Sequence, residues 1–310
     1  LADLVVTATR VPASTAAPAA TTVLQGDDLR ARGVRLVQDA LREVPGVVMV
    51  QGGSYGALTS LFLRGGESDY VKVLLDGVPL NLPGGSLNLA DLTLDDIDRI
   101  EVVRGPVSVL YGADAMSGVI QLFTRSGARR TTAQAGYRGG TFGNADVTGR
   151  IAAGTGGTTL SMAASRFASD GIYPFNSRYL NRVGSMRLDW GSDARGRVAL
   201  TARAGDVVAG YPTDFAGVPT DRNQRTTERR LSLGLSAMRP LGATLTGTVQ
   251  GFASRLRAGA DNRPDTPADT NGYGFDSDRQ AVTWRRGVDA RLDSRAIPGT
   301  PLSIGGGVEH

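Results

Sequence analysis

The chain has 310 residues, of which 41% are hydrophobic, and it carries 34 basic and 30 acidic side chains. No run of about 18 apolar residues occurs, which excludes a transmembrane helix but not membrane β-strands, because these alternate apolar and polar residues. The charges are spread without a basic cluster, so nucleic-acid binding is not expected. The absence of cysteine excludes disulfides and thiolate sites.

The first segment, residues 1–24, combines a short β-prone run with a stretch rich in alanine, threonine and proline. The run is Leu4-Val5-Val6-Thr7-Ala8, and Pro12 and Pro18 follow it. Because proline keeps a backbone extended, we expect a short strand on an extended linker. Taken alone, the run could equally be a frayed terminus.

The second segment, residues 25–127, has the pattern of a compact α+β domain. Apolar residues at helical spacing predict a helix through Val34, Val37, Leu41 and Val44. Pro45-Gly46 ends that helix, and Asp27 and Asp28 are expected to cap an earlier one. Strands are predicted at residues 47–50, 58–64, 71–76, 100–104 and 118–124.

The third segment, residues 128–310, changes to long amphipathic strands. In the clearest of them Leu231, Leu233 and Leu235 alternate with Ser232 and Gly234, which places the two sets on opposite faces of a sheet. The connections alternate in length. They are short at 153–157, 191–196, 239–242 and 294–299, and long at 167–179, 205–226 and 258–278. This asymmetry predicts an antiparallel transmembrane β-barrel rather than a soluble sandwich.

The strand count predicts an open barrel. About eight strands and the start of a ninth at Leu302 are expected, and lipid does not tolerate an unpaired strand edge. We therefore expect the sequence to be an incomplete barrel.

Several motifs in residues 1–127 resemble the plug of TonB-dependent outer-membrane receptors. The closing segment is Asp98-Arg99-Ile100-Glu101-Val102-Val103-Arg104-Gly105-Pro106, followed by Leu110-Tyr111-Gly112 and Gly118-Val119-Ile120. Upstream stand Leu63-Arg64-Gly65, Val73-Leu74-Leu75-Asp76-Gly77 and Leu41-Arg42-Glu43-Val44-Pro45-Gly46. Within the family, the loop Gln51-Gly52-Gly53-Ser54 and the initial "LVVTA" are most similar to the vitamin B12 (cobalamin) receptors.

The resemblance implies a plug domain followed by a transmembrane barrel of about 22 strands, of which eight to nine are present here. It implies TonB-dependent transport of a scarce nutrient complex such as cobalamin, across the bacterial outer membrane, without enzyme activity or a required cofactor. TonB would add a strand to the TonB box, which is Asp3, Leu4, Val5, Val6, Thr7 and Ala8. The lipid bilayer would surround the barrel.

The resemblance also implies two further sets of site residues. Ligand contacts are expected from outward plug loops, at Gln51, Ser54, Tyr55, Asn81, Leu82, Gly84, Gly85 and Ser86. Contacts between plug and barrel are expected from Glu101 and Arg104. Calcium is a weaker expectation, with Asp206 as candidate, since the loop at 169–181 carries Pro174-Phe175-Asn176-Ser177-Arg178 in place of a dense aspartate run.

Two other functions remain as alternatives, and a third is disfavoured. A ferric-siderophore receptor shares the plug motifs, and a plug-barrel signalling receptor or adhesin is the alternative of another class. A hydrolase is disfavoured although Gly52-Gly53-Ser54-Tyr55-Gly56 fits G-x-S-x-G. A strand is expected after that motif instead of a helix, and the one histidine is His310.

Overall fold

The computed structural model describes residues 20–53, 55–85, 87–112, 114–192, 194–213, 217–265, 276–297 and 300–310. These residues form an α+β N-terminal domain and a nine-stranded antiparallel sheet, which we call the wall. This is the predicted fold class. None of the helices in the described ranges is long and apolar enough to cross a membrane.

The N-terminal domain is built on a five-stranded sheet with the order β1-β6-β7-β4-β5. Strands β4 and β7 are parallel, and the other neighbours are antiparallel. A separate antiparallel pair is formed by β2 and β3. The elements are β1 (Ala20–Gln25), α1 (Gly26–Ala31), α2 (Val37–Leu41), β2 (Val47–Gln51), β3 (Thr59–Leu63), β4 (Val71–Leu75), β5 (Val78–Pro79), β6 (Ile97–Arg104), α3 (Ser108–Tyr111) and β7 (Gly118–Thr124).

One apolar cluster joins α1 and α2 of this domain to its sheet, and a second joins α3 to it. Leu41 of α2 and Leu63 of β3 are fully buried in the first cluster, together with Ile100 and Ile120 of the central strands. Burying each such side chain contributes about 1.5–3 kcal/mol to folding. The domain therefore has its own core and does not depend on the wall for one.

Three local predictions for this domain need correction. The helix expected from Val34 to Val44 spans only Val37–Leu41, because Leu36 is extended and forms a β-bridge with Thr93. Asp27 does not cap α1, whose N-cap is Gln25; its carboxylate binds Arg30 instead. Strand β1 begins at Ala20, inside the predicted linker, because it completes the sheet edge beside β6.

The wall consists of nine strands in sequence order, each antiparallel to the next. The strands contain between 8 and 21 residues, and most exceed the length needed to cross a bilayer when tilted. They are β8 (Thr132–Gly139), β9 (Ala145–Thr155), β10 (Thr158–Ser169), β11 (Tyr179–Ser192), β12 (Gly196–Gly210), β13 (Arg225–Pro240), β14 (Leu245–Asn262), β15 (Ser277–Ile297) and β16 (Thr300–Glu309).

The two faces of the wall differ as the alternation predicted. Leu231, Leu233 and Leu235 of β13 are exposed on the outer face, whereas Ser232 between them is buried on the inner face. Short and long connections also alternate between the two ends of the sheet, with Gly156-Gly157 joining β9 to β10 and residues 170–178 joining β10 to β11.

The predicted division of the chain into three segments, with boundaries at residues 24/25 and 127/128, stays a prediction.

Candidate functional site

The inner face of the wall carries polar side chains that reach the N-terminal domain. They include side chains of β9, β11, β12, β13 and β15. Inner-face residues in contact with the domain include Asp146, Tyr179, Asn181, Arg187, Arg203, Arg230 and Arg285. The wall is therefore attached to the domain along most of its width.

The first of these contacts lies at a β-turn of the domain. Asp76 lies directly before Gly77 and has a φ of 48°. Its Oδ1 is 2.9 Å from Nη1 of Arg187, and its carboxylate accepts hydrogen bonds from the Thr124 amide and hydroxyl. Asp189, two residues along β11, binds the same guanidinium through both oxygens. Burial raises the pKa of the Asp76 carboxyl, and the Arg187 charge and the Thr124 hydrogen bonds oppose that rise.

Three more arginines contact the segment between β5 and β6. Nε of Arg203 lies 3.2 Å from Asp96, Nη1 of Arg230 donates to the Leu80 carbonyl at 2.7 Å, and Arg285 donates to the Asn81 carbonyl. The wall thus presents guanidinium groups, and the domain presents carboxylate and carbonyl oxygens. Such charge-assisted hydrogen bonds are about twice as strong as neutral ones.

A cluster of aromatic rings holds a loop of the domain at the end of the wall that bears the long connections. The Tyr55 ring packs edge-on against Phe167 with ring centroids 5.0 Å apart, and it also contacts Tyr179. The Tyr211 hydroxyl donates to the Gly56 carbonyl at 2.6 Å. This arrangement fixes Tyr55 and Gly56 where the long connections begin. We call the described residues 52–53 and 55–58 the apex loop.

Gly56 is the point of closest approach between apex loop and wall. Its φ is +82°, and a Cβ built there would lie 2.5 Å from Cβ of Ala209 and 2.7 Å from the Tyr179 ring. Only glycine fits this position without displacing the loop.

We expect Gly56→Ala to lower the free energy of unfolding by about 2–4 kcal/mol, from backbone strain and overpacking together. Gly65→Ala is the matched control, since Gly65 has a similar φ of +75° with no atom near the added Cβ; it should cost about 1–2 kcal/mol. Urea titration followed by tyrosine near-ultraviolet circular dichroism measures both. Equal losses in the two variants would contradict a close contact at Gly56.

The second loop that was predicted to bind ligand is held by one of its own side chains. The Asn81 amide is buried, donates to the carbonyls of Val71 and Gly85, and accepts from the Val73 amide. Gly84 is exposed with a φ of +93°, and Leu82 is half-buried. A Cβ on Gly85 would clash with the Asp69 carbonyl at 2.3 Å. In this geometry Asn81 and Gly85 shape the loop, and Leu82 and Gly84 are its accessible members.

Of the other predicted ligand residues, the structure describes Gln51 and Tyr55. Tyr55 lies in the aromatic cluster, and the Gln51 side-chain oxygen accepts hydrogen bonds from Gln38 and Arg42. Ser54 and Ser86 lie outside the described residues. The predicted TonB-binding residues 3–8 also lie outside them.

The described contacts of Glu101 and Arg104 lie within the N-terminal domain and not at the wall. Glu101 is fully buried and pairs with Arg99 at 2.8 Å. Arg104 donates to the carbonyls of Ala20 and Pro45 and to the Thr22 hydroxyl. The reason is topological, because β6 lies between β1 and β7 in the middle of the sheet.

Asp206, the calcium candidate, is surrounded by arginines. Its carboxylate lies 2.9 Å from Nε of Arg229 and 3.5 Å from Nη1 of Arg182. Within the ranges that the structure describes, no group of three or more His, Cys, Asp or Glu side chains could hold a metal ion. Two guanidinium groups beside one carboxylate disfavour a cation there.

Comparison with known families identifies the N-terminal domain. Residues 13–119 match the family described as TonB-dependent Receptor Plug Domain. On this match we call the N-terminal domain the plug domain, or plug. The plug domain accordingly contacts the inner face of the wall, with its apex loop at the long-connection end.

Solved structures share the fold of plug and wall together. The ferripyoverdine receptor of the outer membrane of Pseudomonas aeruginosa matches with a TM-score of 0.74 and 16% identity, over 98% of this chain and 43% of that chain. The ferric citrate transporter FecA matches with a TM-score of 0.74 and 19% identity, over 94% of this chain and 47% of that chain. The copper transporter OprC matches with a TM-score of 0.74 and 22% identity, over 93% of this chain and 45% of that chain. At these identities the likeness shows the fold alone, and this chain spans less than half of each matched chain.

The plug–wall ion pairs were not predicted from the sequence, although a signal for them exists. Charged residues of opposite sign recur two positions apart on inner faces, as in Arg187-x-Asp189, Glu228-x-Arg230 and Arg291-x-Asp293. Charges at that spacing share one face of a strand. A polar inner face of this kind is expected where a wall meets a polar plug and not a second apolar sheet.

Proposed function

We propose that this chain is the plug and part of the barrel of a receptor that imports a scarce nutrient complex across the bacterial outer membrane with energy from TonB. The observation that carries this proposal is the plug domain attached to the inner face of the wall by buried ion pairs. A barrel filled in this way does not conduct, so passage of cargo requires the plug to move.

Energy for that movement must come from outside the outer membrane. The segment Asp3-Leu4-Val5-Val6-Thr7-Ala8 is proposed as the site where TonB adds a strand, with Pro12 and Pro18 keeping the linker extended. Backbone hydrogen bonds of an added strand supply affinity independent of cargo. We propose that force applied by TonB at this segment moves the plug.

The cargo is proposed to bind at the apex loop and the neighbouring loop at 81–87. Gly84 and the glycines at 52 and 53 allow a ligand to approach the backbone closely. Cobalamin is the cargo that the resemblance of the sequence favours. A ferric siderophore is the second candidate, favoured because the matched structures include siderophore, ferric citrate and copper proteins.

A binding comparison separates the two cargo classes. The complete protein in detergent should bind cobalamin saturably in an isothermal titration, and a ferric hydroxamate or ferric catecholate should fail to displace it. Saturable binding of a ferric siderophore without cobalamin binding would replace cobalamin by the second class. Binding of neither class would contradict the proposed cargo.

A signalling receptor or adhesin is the alternative of another class. Both would use the same plug and wall, and neither would accumulate cargo inside the cell. Uptake of bound cargo into the periplasm therefore distinguishes import from these functions. No enzyme activity is proposed.

A further inference from the structure

Four wall arginines, which are Arg187, Arg203, Arg230 and Arg285, contact residues 76–96 of the plug, and they differ in what else they bind. Arg187 also pairs with Asp189 through two hydrogen bonds, Arg230 with Glu228 at 2.8 Å, and Arg285 with Glu309. These three carboxylates belong to the wall itself. When the plug moves away, each of these arginines keeps a partner of opposite charge.

Arg203 is the exception. The structure gives its guanidinium two partners, Asp96 at 3.2 Å and the Thr93 hydroxyl at 3.4 Å, and both belong to the plug. Arg203 is only 8% exposed and Asp96 only 4%. Among the described contacts, Oδ1 of Asp96 has no hydrogen-bond partner, so the carboxylate depends on this guanidinium for its charge pairing.

The neighbours of Arg203 on the wall cannot replace Asp96. Its cross-strand partners are Ser185 on β11 and Ser232 on β13, and the residues two positions away along β12 are Thr201 and Gly205. All four are uncharged. The nearest charged positions on the inner face are the diagonal ones.

Those diagonal positions carry positive charge. Arg187 is two residues beyond Ser185, and Arg230 is two residues before Ser232. Diagonal neighbours on adjacent strands lie roughly 7–8 Å apart, within range of long side chains. Neither diagonal position therefore offers Arg203 a carboxylate in place of Asp96.

We propose that the Arg203–Asp96 ion pair is the contact that keeps the plug closed, with Arg203 as a positioning residue for gating. This inference rests on the proposed function. Separating plug and wall removes the one described charge partner of Arg203, whereas Arg187, Arg230 and Arg285 each keep a carboxylate of the wall. Breaking a buried ion pair by loss of one partner is far more unfavourable than losing both.

The test measures plug opening through one introduced thiol. These 310 residues contain no cysteine, so Ala90→Cys, at a plug residue 2% exposed, adds one thiol here that we expect to react with a maleimide when the plug separates from the wall. Labelling of the complete protein without Ala90→Cys is subtracted as background. The complete protein is used in outer-membrane vesicles. Four changes are compared in this background: Asp96→Asn, Arg203→Gln, both together, and Asp76→Asn as matched control.

We expect Asp96→Asn and Arg203→Gln each to raise the labelling rate about a hundredfold. The double variant should return to within about tenfold of the parent, because no unpaired charge remains. Asp76→Asn should change the rate less than about threefold, since Arg187 keeps its bidentate partner. Because Arg203→Gln leaves the plug sequence intact, a misfolded plug cannot explain its effect.

Two outcomes would overturn the proposal. One is equal labelling of the Asp96→Asn and Asp76→Asn variants. The other is a double variant that labels as fast as the single ones, which would indicate lost packing and not unpaired charge. TonB dependence of uptake is measured separately on the parent protein, so failure of the proposed function is distinguishable from failure of this ion pair.

Discussion

A disulfide between plug and wall, introduced by Val78→Cys and Gly234→Cys, is expected to abolish uptake when it is oxidised. Val78 lies on β5 of the plug, and Gly234 lies on the inner face of β13. A Cβ built at Gly234 would stand 3.0 Å from Cγ2 of Val78. In a disulfide with an S–S bond of about 2.04 Å, the Cβ of one cysteine is about 3 Å from the sulfur of the other. The two positions are therefore close enough for a bridge to form.

The physical reason is that a covalent bond prevents the plug from leaving the wall, whatever force TonB applies. Cargo affinity is measured on the same variant, because Val78 lies three residues before Asn81 in the second proposed cargo loop. Uptake of radiolabelled cargo by cells, with and without a reductant, measures the effect. Reduction should restore transport.

A control variant shares one of the two cysteines. Thr201→Cys with Gly234→Cys joins β12 to β13 at directly opposed positions and leaves the plug free. The oxidised control should transport like the parent. If the oxidised plug–wall variant also transported at the parental rate, movement of the plug relative to β13 would not be part of the mechanism.

Proline at Val6 is expected to reduce uptake to background while leaving cargo affinity unchanged. Proline removes the backbone donor that an added strand needs, and it disfavours pairing on both sides of itself. The cargo loops lie in a separate part of the plug, so their geometry is not affected. Radiolabelled cargo uptake by cells and equilibrium binding to the purified protein measure the two quantities.

Ala16→Pro is the matched control for Val6→Pro. It places proline in the alanine- and proline-rich linker, where an extended backbone is already expected. Uptake should stay at the parental level. Loss of uptake in both variants would point to a general effect on the segment before the plug and against strand addition at Val6.

Much of the fold was predictable because its signals are local. Strand β7 has the predicted bounds, Gly118–Thr124, and β2 extends the prediction by one residue to Gln51. Period-two alternation in β13 predicted the exposed and buried faces, since neighbouring side chains on a strand must point in opposite directions. Alternating connection lengths predicted the antiparallel order.

The errors arose where tertiary pairing decides local structure. Helix α2 begins at Val37 and not earlier because Leu36 pairs with Thr93, far along the chain. The segment Ala20–Gln25 is a strand because β6 offers it a free edge. Neither partner is visible in a short window of sequence.

The plug–wall contacts lay beyond sequence reasoning for the same reason. Arg203 and Asp96 are 107 positions apart in the sequence. Their contact depends on the register of β12 and on the position of the plug against the wall. The described partners of Glu101 and Arg104 lie inside the plug, and their contacts with the barrel stay a prediction. The role of the residues at 3–8 stays a prediction.

The central claim is that plug movement driven by TonB admits the cargo. The most direct measurement is accumulation of radiolabelled cargo in cells that make the complete protein, with TonB present or deleted. We predict accumulation that depends on TonB, with surface binding equal in the two strains. Equal accumulation with and without TonB would contradict the account.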